Sequence, residues 1–273
     1  MLLQEGIRQM AQQSELMTKL DASIEKKEEL IQKHFGKYAM RSVLATLYLS
    51  LGSAIAIGLG LKFTDPAMGK VLYAMAFGLG LALIIFLNAE LGTSNMMYMT
   101  VATYRKKLAP SRALKILLVC VLFNLIGAFV IAYLLSLTGA FRGLPSDNFL
   151  THLVEGKFQK GIMQTLVEGI FANVIVNLAV LMSMKLKDDV GRLFGIILVI
   201  FIFTFLGFEH VIANFIYFPL AYFSSGGMIA GMTVGAVATN IIFTFIGNFI
   251  GGGLVIGLTY AWLNKDESVH YLD

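Results

Sequence analysis

A triplet of polar residues that occurs twice is the feature that most constrains this chain. Glu90, Asn95 and Tyr98 return at the same spacing as Glu209, Asn214 and Tyr217. Both copies interrupt apolar segments, Phe86-Leu-Asn-Ala-Glu-Leu-Gly-Thr-Ser-Asn-Met-Met-Tyr98 and Phe205-Leu-Gly-Phe-Glu-His-Val-Ile-Ala-Asn-Phe-Ile-Tyr217. A carboxylate inside a membrane-length segment is expensive, so it faces a protein interior or a water-filled path and takes a partner. Polar interruptions at matching positions in two halves of a membrane protein point to inverted repeats with a permeation site between them. Asn124-Leu-Ile-Gly127 and Asn248-Phe-Ile-Gly251 follow the two triplets at similar distances and extend the match.

Composition agrees with a membrane setting. Of 273 residues, 57% are hydrophobic and 14% charged, whereas a soluble domain carries roughly a quarter charged residues. Six apolar spans are expected near 38–61, 71–104, 113–138, 161–186, 192–222 and 236–263, each at least the ~20 residues that cross a bilayer. The second and fifth are too long for plain crossings and carry the triplets. Each reads as two half-helices joined by a non-helical loop, which a bilayer tolerates only where it lines a cavity or is covered by protein. Gly92 and Thr93 fall at the first break, Glu209 and His210 at the second.

These spans make an all-α membrane domain over 38–263, with one repeat at about 38–138 and the other at about 161–263. Before it, residues 1–37 form a polar segment in which Leu3, Ile7, Met10, Met17, Leu20, Ile24 and Ile31 recur at helical steps, the pattern of an amphipathic helix or helix pair. A short tail, 264–273, follows. Of the 21 lysines and arginines, only Lys62, Lys70, Arg142, Lys157 and Lys160 fall in the segments on one side of the spans. The positive-inside rule therefore places both termini in the cytoplasm. With three spans per half, the two copies run in opposite directions.

The single cysteine, Cys120, excludes an internal disulfide and a multi-cysteine metal site. No metal or cofactor is expected, and the net charge of +4 reflects topology rather than nucleic-acid binding. There is no His-Glu-x-x-His or Gly-x-Ser-x-Gly motif; an enzyme reading would have to use Glu209 and His210 as acid and base. His210 is the one histidine inside a long apolar segment, where a ring can give or accept a proton. Lys157, on the outer flank of the fourth span, reads as a solvated residue or as a cation at a funnel mouth. Phe77, Leu81 and Phe203 lie on the half-helices leading to the breaks, where apolar side chains can form constrictions. Glu168 has no duplicate and receives no role.

The stretches Ala89-Glu-Leu-Gly-Thr-Ser-Asn95, Ala172-Asn-Val-Ile-Val-Asn-Leu-Ala-Val180, Gly207-Phe-Glu-His-Val-Ile-Ala-Asn214 and Gly247-Asn-Phe-Ile-Gly-Gly252 resemble the formate/nitrite transporter family, from about residue 30 to 263. The resemblance implies an aquaporin-like fold, a homopentamer with one pore per protomer, and passage of small monovalent anions or their conjugate acids. It implies that His210 is the central pore histidine, faced by Thr93, and that Lys157 draws anions into the vestibule. Phe77, Leu81 and Phe203 become the constrictions, with Glu209, Asn173 and Asn214 as polar supports. Glu90 and Asn95 take the same part in the other half.

One departure stands out: this chain has Leu91-Gly-Thr93 where the family commonly has Leu-Phe-Thr. Gly92 is therefore expected to widen the pore, or else to serve a loop with positive φ. The expected protein is a channel or proton-coupled transporter for small weak-acid anions, such as formate or nitrite, in a bacterial-type inner membrane. Tuning to hydrosulfide or to a larger monocarboxylate such as lactate is the alternative.

Overall fold

The computed structural model describes residues 14–63 and 65–265. Leu3, Ile7, Met10 and the tail beyond residue 265 lie outside the described residues. Among those described, six helices are long and apolar enough to cross a membrane. They are α2 (Phe35–Lys62), α3 (Pro66–Phe86), α5 (Pro110–Ser136), α7 (Ile162–Lys185), α8 (Asp189–Leu206) and α10 (Val234–Leu263). Shorter helices accompany them: α1 (Glu15–Lys33), α4 (Gly92–Tyr104), α6 (Phe149–Phe158) and α9 (Val211–Ser225).

The second and fifth crossings are broken, as their excess length requires. α3 ends at Phe86 and α4 starts at Gly92; α8 ends at Leu206 and α9 starts at Val211. The first break thus occupies 87–91, just ahead of Gly92 and Thr93 rather than at them. Asn88 turns this chain with φ +53°, and Gly207 turns the second break with φ +74°. Both adopt the left-handed backbone, reached most easily by Gly and Asn.

Two carboxamides hold the breaks. Asn124 on α5 donates from Nδ2 to the carbonyls of Glu90 (3.0 Å) and Ser42 (2.7 Å), and its Oδ1 accepts from the Gly92 N–H (2.8 Å). Asn248 on α10 repeats this with the carbonyls of Glu209 (3.0 Å) and Gly169 (2.7 Å) and the Val211 N–H (2.9 Å). A buried asparagine thus satisfies backbone groups that a broken helix leaves without partners.

Just past Asn248, α10 is wound as a π-helix over Phe249–Leu258. A side chain at Gly251 would overlap the Ile170 carbonyl, and one at Gly252 the amides of Asn173 and Asn177. The glycine run permits backbone contact between α10 and α7.

The segment before the first span packs into the bundle. Leu16, Met17, Leu20, Ile24 and Ile31 of α1 are buried in one apolar cluster with Met96, Met97, Val101 and Ile116. Asp21 anchors α1 by accepting from Arg105 at the end of α4 (Nη2, 3.0 Å).

Candidate functional site

The two breaks meet. Thr93, at the start of α4, and His210, the N-cap of α9, lie with Oγ1 and Nε2 2.9 Å apart, both buried. The Ala213 N–H donates to His210 Nδ1 at 3.1 Å. That bond occupies the Nδ1 lone pair, so in the neutral ring the proton sits on Nε2 and donates to Thr93 Oγ1. The Thr93 carbonyl accepts from Asn173 Nδ2 (3.1 Å), which also donates to the Asn248 carbonyl (2.7 Å). Asn173 therefore braces the backbone of Thr93 and does not touch the imidazole. Phe203 lies 6.0 Å from the His210 ring and 5.7 Å, edge-on, from Phe77, measured between centroids.

A cavity of about 320 Å³ on one side of this junction is walled by Tyr73, Phe77, Phe203, His210, Lys157 and Lys160, among others. A second, of about 190 Å³, has Glu90, Leu91, Lys27, Arg41, Tyr98 and Arg192 in its wall. Phe77 and Phe203 line the first. Leu81 is buried one turn further along α3 and lines neither.

Each cavity has in its wall a buried lysine that pairs with a buried carboxylate, and the two pairs are built alike. Glu209 accepts from Asn214 Nδ2 (2.8 Å) and Lys157 Nζ (3.1 Å), and Lys157 sits 5.7 Å from the centroid of the Tyr217 ring. Glu90 accepts from Asn95 Nδ2 (3.2 Å) and Lys27 Nζ, and Lys27 sits 4.6 Å from the Tyr98 ring centroid. The recurring triplet is thus a carboxylate, the amide that orients it, and an aromatic face for the cation that pairs with it.

Lys157 is buried and ion-paired, which removes its reading as a solvated flank. Its counterpart, Lys27, comes from α1. Sequence reasoning gave that residue no role, because it is one of several charged residues in an amphipathic segment and nothing in the pattern singles it out. α1 stands to α2 as α6 stands to α7, so the duplicated unit begins with α1 rather than with the first span.

The second cation differs between the sides. Arg41 on α2 reaches Glu90 Oε1 at 3.4 Å. Lys160 reaches Glu209 Oε1 at 2.6 Å, and also donates to the Gly207 carbonyl (2.7 Å) and to Glu168. The pairing of Asn124 with Ser42 and of Asn248 with Gly169 sets one register for both halves, and in it Glu168 occupies the Arg41 position. Glu168 thus has a duplicate position after all, filled by the opposite charge.

Gly92 does not act as its sequence context suggested. It is the first residue of α4 and is not among the residues with positive φ. A Cβ there would meet Val121 Cγ2 at 2.8 Å, Asn124 Oδ1 at 3.1 Å and Ile212 Cδ1 at 3.4 Å. That direction leads into packing between α4, α5 and α9, and Gly92 lines neither cavity. The glycine provides room for the amide of Asn124 to reach the break.

A sequence model described as formate/nitrite transporter matches residues 14–262. The chain belongs to the formate/nitrite transporter family. Among similar relatives, an uncharacterized transporter of Bacillus subtilis (strain 168), YwcJ, is 30% identical over 93% of this chain and 100% of its own length. A formate-nitrite transporter of Plasmodium falciparum (isolate 3D7) is 27% identical over 85% of this chain and 79% of its own. In solved structures the same fold appears in an FNT family ion channel, with a TM-score of 0.84 at 23% identity over 90% of this chain and 98% of that one. A pentameric formate channel with formate bound follows at 0.70 and 22%, over 84% and 97%. Family membership makes this a multi-pass membrane transport protein and not an enzyme.

Proposed function

We propose that the chain forms a homopentamer, each protomer carrying one pore for small monovalent weak-acid anions such as formate or nitrite. The lysine distribution along the sequence supports a bacterial-type inner-membrane location with both termini in the cytoplasm, the Glu90 cavity facing inward and the Glu209 cavity outward. The observation that carries this reading is the Thr93–His210 contact, which lies between two cavities that each hold a buried lysine on a buried carboxylate.

In the proposed mechanism, Lys157 or Lys27 draws an anion from its side, and the anion then moves toward His210. The rings of Phe77 and Phe203 disfavour a charged species, since burying an unpaired ion costs far more than burying a neutral acid. Passage is therefore favoured if the anion takes up a proton beside His210, with the Nε2–H and Thr93 Oγ1 offering hydrogen bonds to the resulting acid. Glu209, Asn214, Glu90 and Asn95 hold the two lysines in place, and Asn173 holds Thr93. The alternative of a pore tuned to lactate rested on a lumen widened at Gly92, and that position lies in packing.

The test is flux into protein-loaded liposomes for formate, nitrite, hydrosulfide and lactate at two pH values. Saturable formate or nitrite flux that rises as external pH falls and drops in His210→Phe supports the reading. Formate and nitrite flux both equal to that of empty liposomes removes it.

A further inference from the structure

The duplicated scaffold is interrupted in one place behind the buried carboxylates. On the Glu90 side, Tyr38 fills that space: it is fully buried, accepts from Asn95 Nδ2 at 3.2 Å and donates to the Ile116 carbonyl at 3.1 Å. The register set by Asn124 and Asn248 puts Thr165 at the Tyr38 position and Asn240 at the Ile116 position. Exchanging a tyrosine for a threonine leaves a cavity of about 140 Å³, with Lys157, Lys160, Thr165, Thr239 and Asn240 in its wall. Only Lys157 and Lys160 are shared with the Glu209 cavity. One water needs about 10–15 Å³ measured in this way, so the space holds a small polyatomic ion with solvent.

Its polar groups are not all satisfied. Asn214 Nδ2 donates to Glu209 and also, at 2.8 Å, to Asn240 Oδ1. The carboxylate fixes the orientation of the Asn214 amide, and this in turn fixes that of Asn240. The oxygen of Asn240 faces Asn214, and the Asn240 Nδ2 has no hydrogen-bond partner among the described residues although the residue is only 5% exposed. A buried donor without a partner has given up its hydrogen bond to water with nothing in exchange. At the same wall, the Lys157 ammonium has three donors, and Glu209 accepts from one of them.

We propose that this cavity binds a small monovalent anion, held between the Lys157 ammonium and Asn240 Nδ2. The site extends the transport reading above: an anion here competes with Glu209 for Lys157 and keeps the cation loaded beside the path. Two carboxylates, Glu168 and Glu209, already balance Lys157 and Lys160. That balance favours a singly charged ion over a multivalent one. On the Glu90 side the cavity at the matching place is walled by Ile31, Gln32, Arg112, Lys115 and Ile116, and Lys27 is not in its wall; Tyr38 fills the space next to the carboxylate.

Bromide is a suitable probe, located by anomalous scattering in crystals of the full-length protein. The expected result is a peak within ~3.5 Å of both Lys157 Nζ and Asn240 Nδ2, lost in Thr165→Tyr, which copies the packing of the other half. Asn240→Leu removes the amide donor and serves as the second variant if Thr165→Tyr does not assemble. Only water in the wild-type cavity, or a bromide peak unchanged in Asn240→Leu, overturns the proposal. Formate and nitrite flux of the wild-type protein is measured in parallel. The absence of both would refute the transport reading, whereas normal flux with an empty cavity would refute the site alone.

Discussion

Glu90 meets Lys27 and Arg41, whereas Glu209 meets Lys157 and Lys160, with Lys160 also bound to Glu168. The first side has two cations against one carboxylate, and the second has two against two. Lys26 and Arg192 also line the Glu90 cavity. A shared scaffold of triplet, break and bracing asparagine therefore carries different net charge at its two ends. In this comparison the scaffold positions the carboxylate, while residues outside the triplet decide how strongly each mouth attracts an anion.

The largest expected effect comes from removing each carboxylate. Among the described residues, Glu90→Gln leaves Lys27 and Arg41 without an anion, while Glu209→Gln still leaves Glu168 beside Lys160. Breaking a buried pair costs about 3–5 kcal/mol, so both variants should lower the thermal unfolding midpoint of the detergent-solubilised protein, Glu90→Gln by more. Equal midpoints would mean that Glu168 gives the second side no reserve.

Next in size is the effect of the buried lysines on flux. Lys157→Ala should reduce uptake of formate presented on the Glu209 side about tenfold at low concentration and much less at saturation, by loss of local attraction. Lys27→Ala should do the same for formate presented on the Glu90 side. The two effects are separable in liposomes with protein in one orientation. If Lys157→Ala leaves the concentration dependence unchanged, its charge serves only to pair Glu209.

The sequence made one of these lysines easier to find than the other. The triplets and the broken crossings follow from polar residues standing out against apolar background, whereas the facing of Thr93 and His210 was implied by the family resemblance. The same contrast exposes Asn124 and Asn248 as a repeated pair, although their work on the broken backbone appears only in three dimensions. Lys27 has no such contrast, because its neighbours in α1 are also charged; it is selected by the fold, which places one lysine of a polar helix over Glu90. Lys160 and Glu168 were masked differently. The cation that copies Arg41 comes from the turn before α7, so no spacing rule relates them. Gly92 misled because a missing side chain was read as a wider pore, when the vacant direction is filled by Val121 and Asn124.

A smaller effect is expected from equalising the charge balance. Glu168→Gln removes one of two carboxylates on the Glu209 side and should raise low-concentration uptake from that side about two- to threefold. The increase should vanish at high salt, since screening limits such attraction to ~8 Å at physiological ionic strength. A gain that persists in 1 M salt would trace to a structural change at Gly207, whose carbonyl Lys160 also holds.

The smallest expected effect on selectivity is at Gly92. Its counterpart in the other half is Val211, which donates the same backbone bond to Asn248 while carrying a branched side chain. The bond therefore does not itself require glycine; the crowding of Val121 and Asn124 around this particular N–H does. Gly92→Ala places a methyl 2.8 Å from Val121 Cγ2, a contact that one side chain must yield to accommodate. Overpacking of this kind costs about 1–3 kcal/mol, so the variant should unfold at lower temperature. The ratio of formate to lactate flux should stay as in the wild type, because no lumen-lining atom changes. Val121→Ala in the same chain should recover part of the lost stability. A formate-to-lactate ratio that rises in Gly92→Ala would place this position on the anion path and reverse the packing argument.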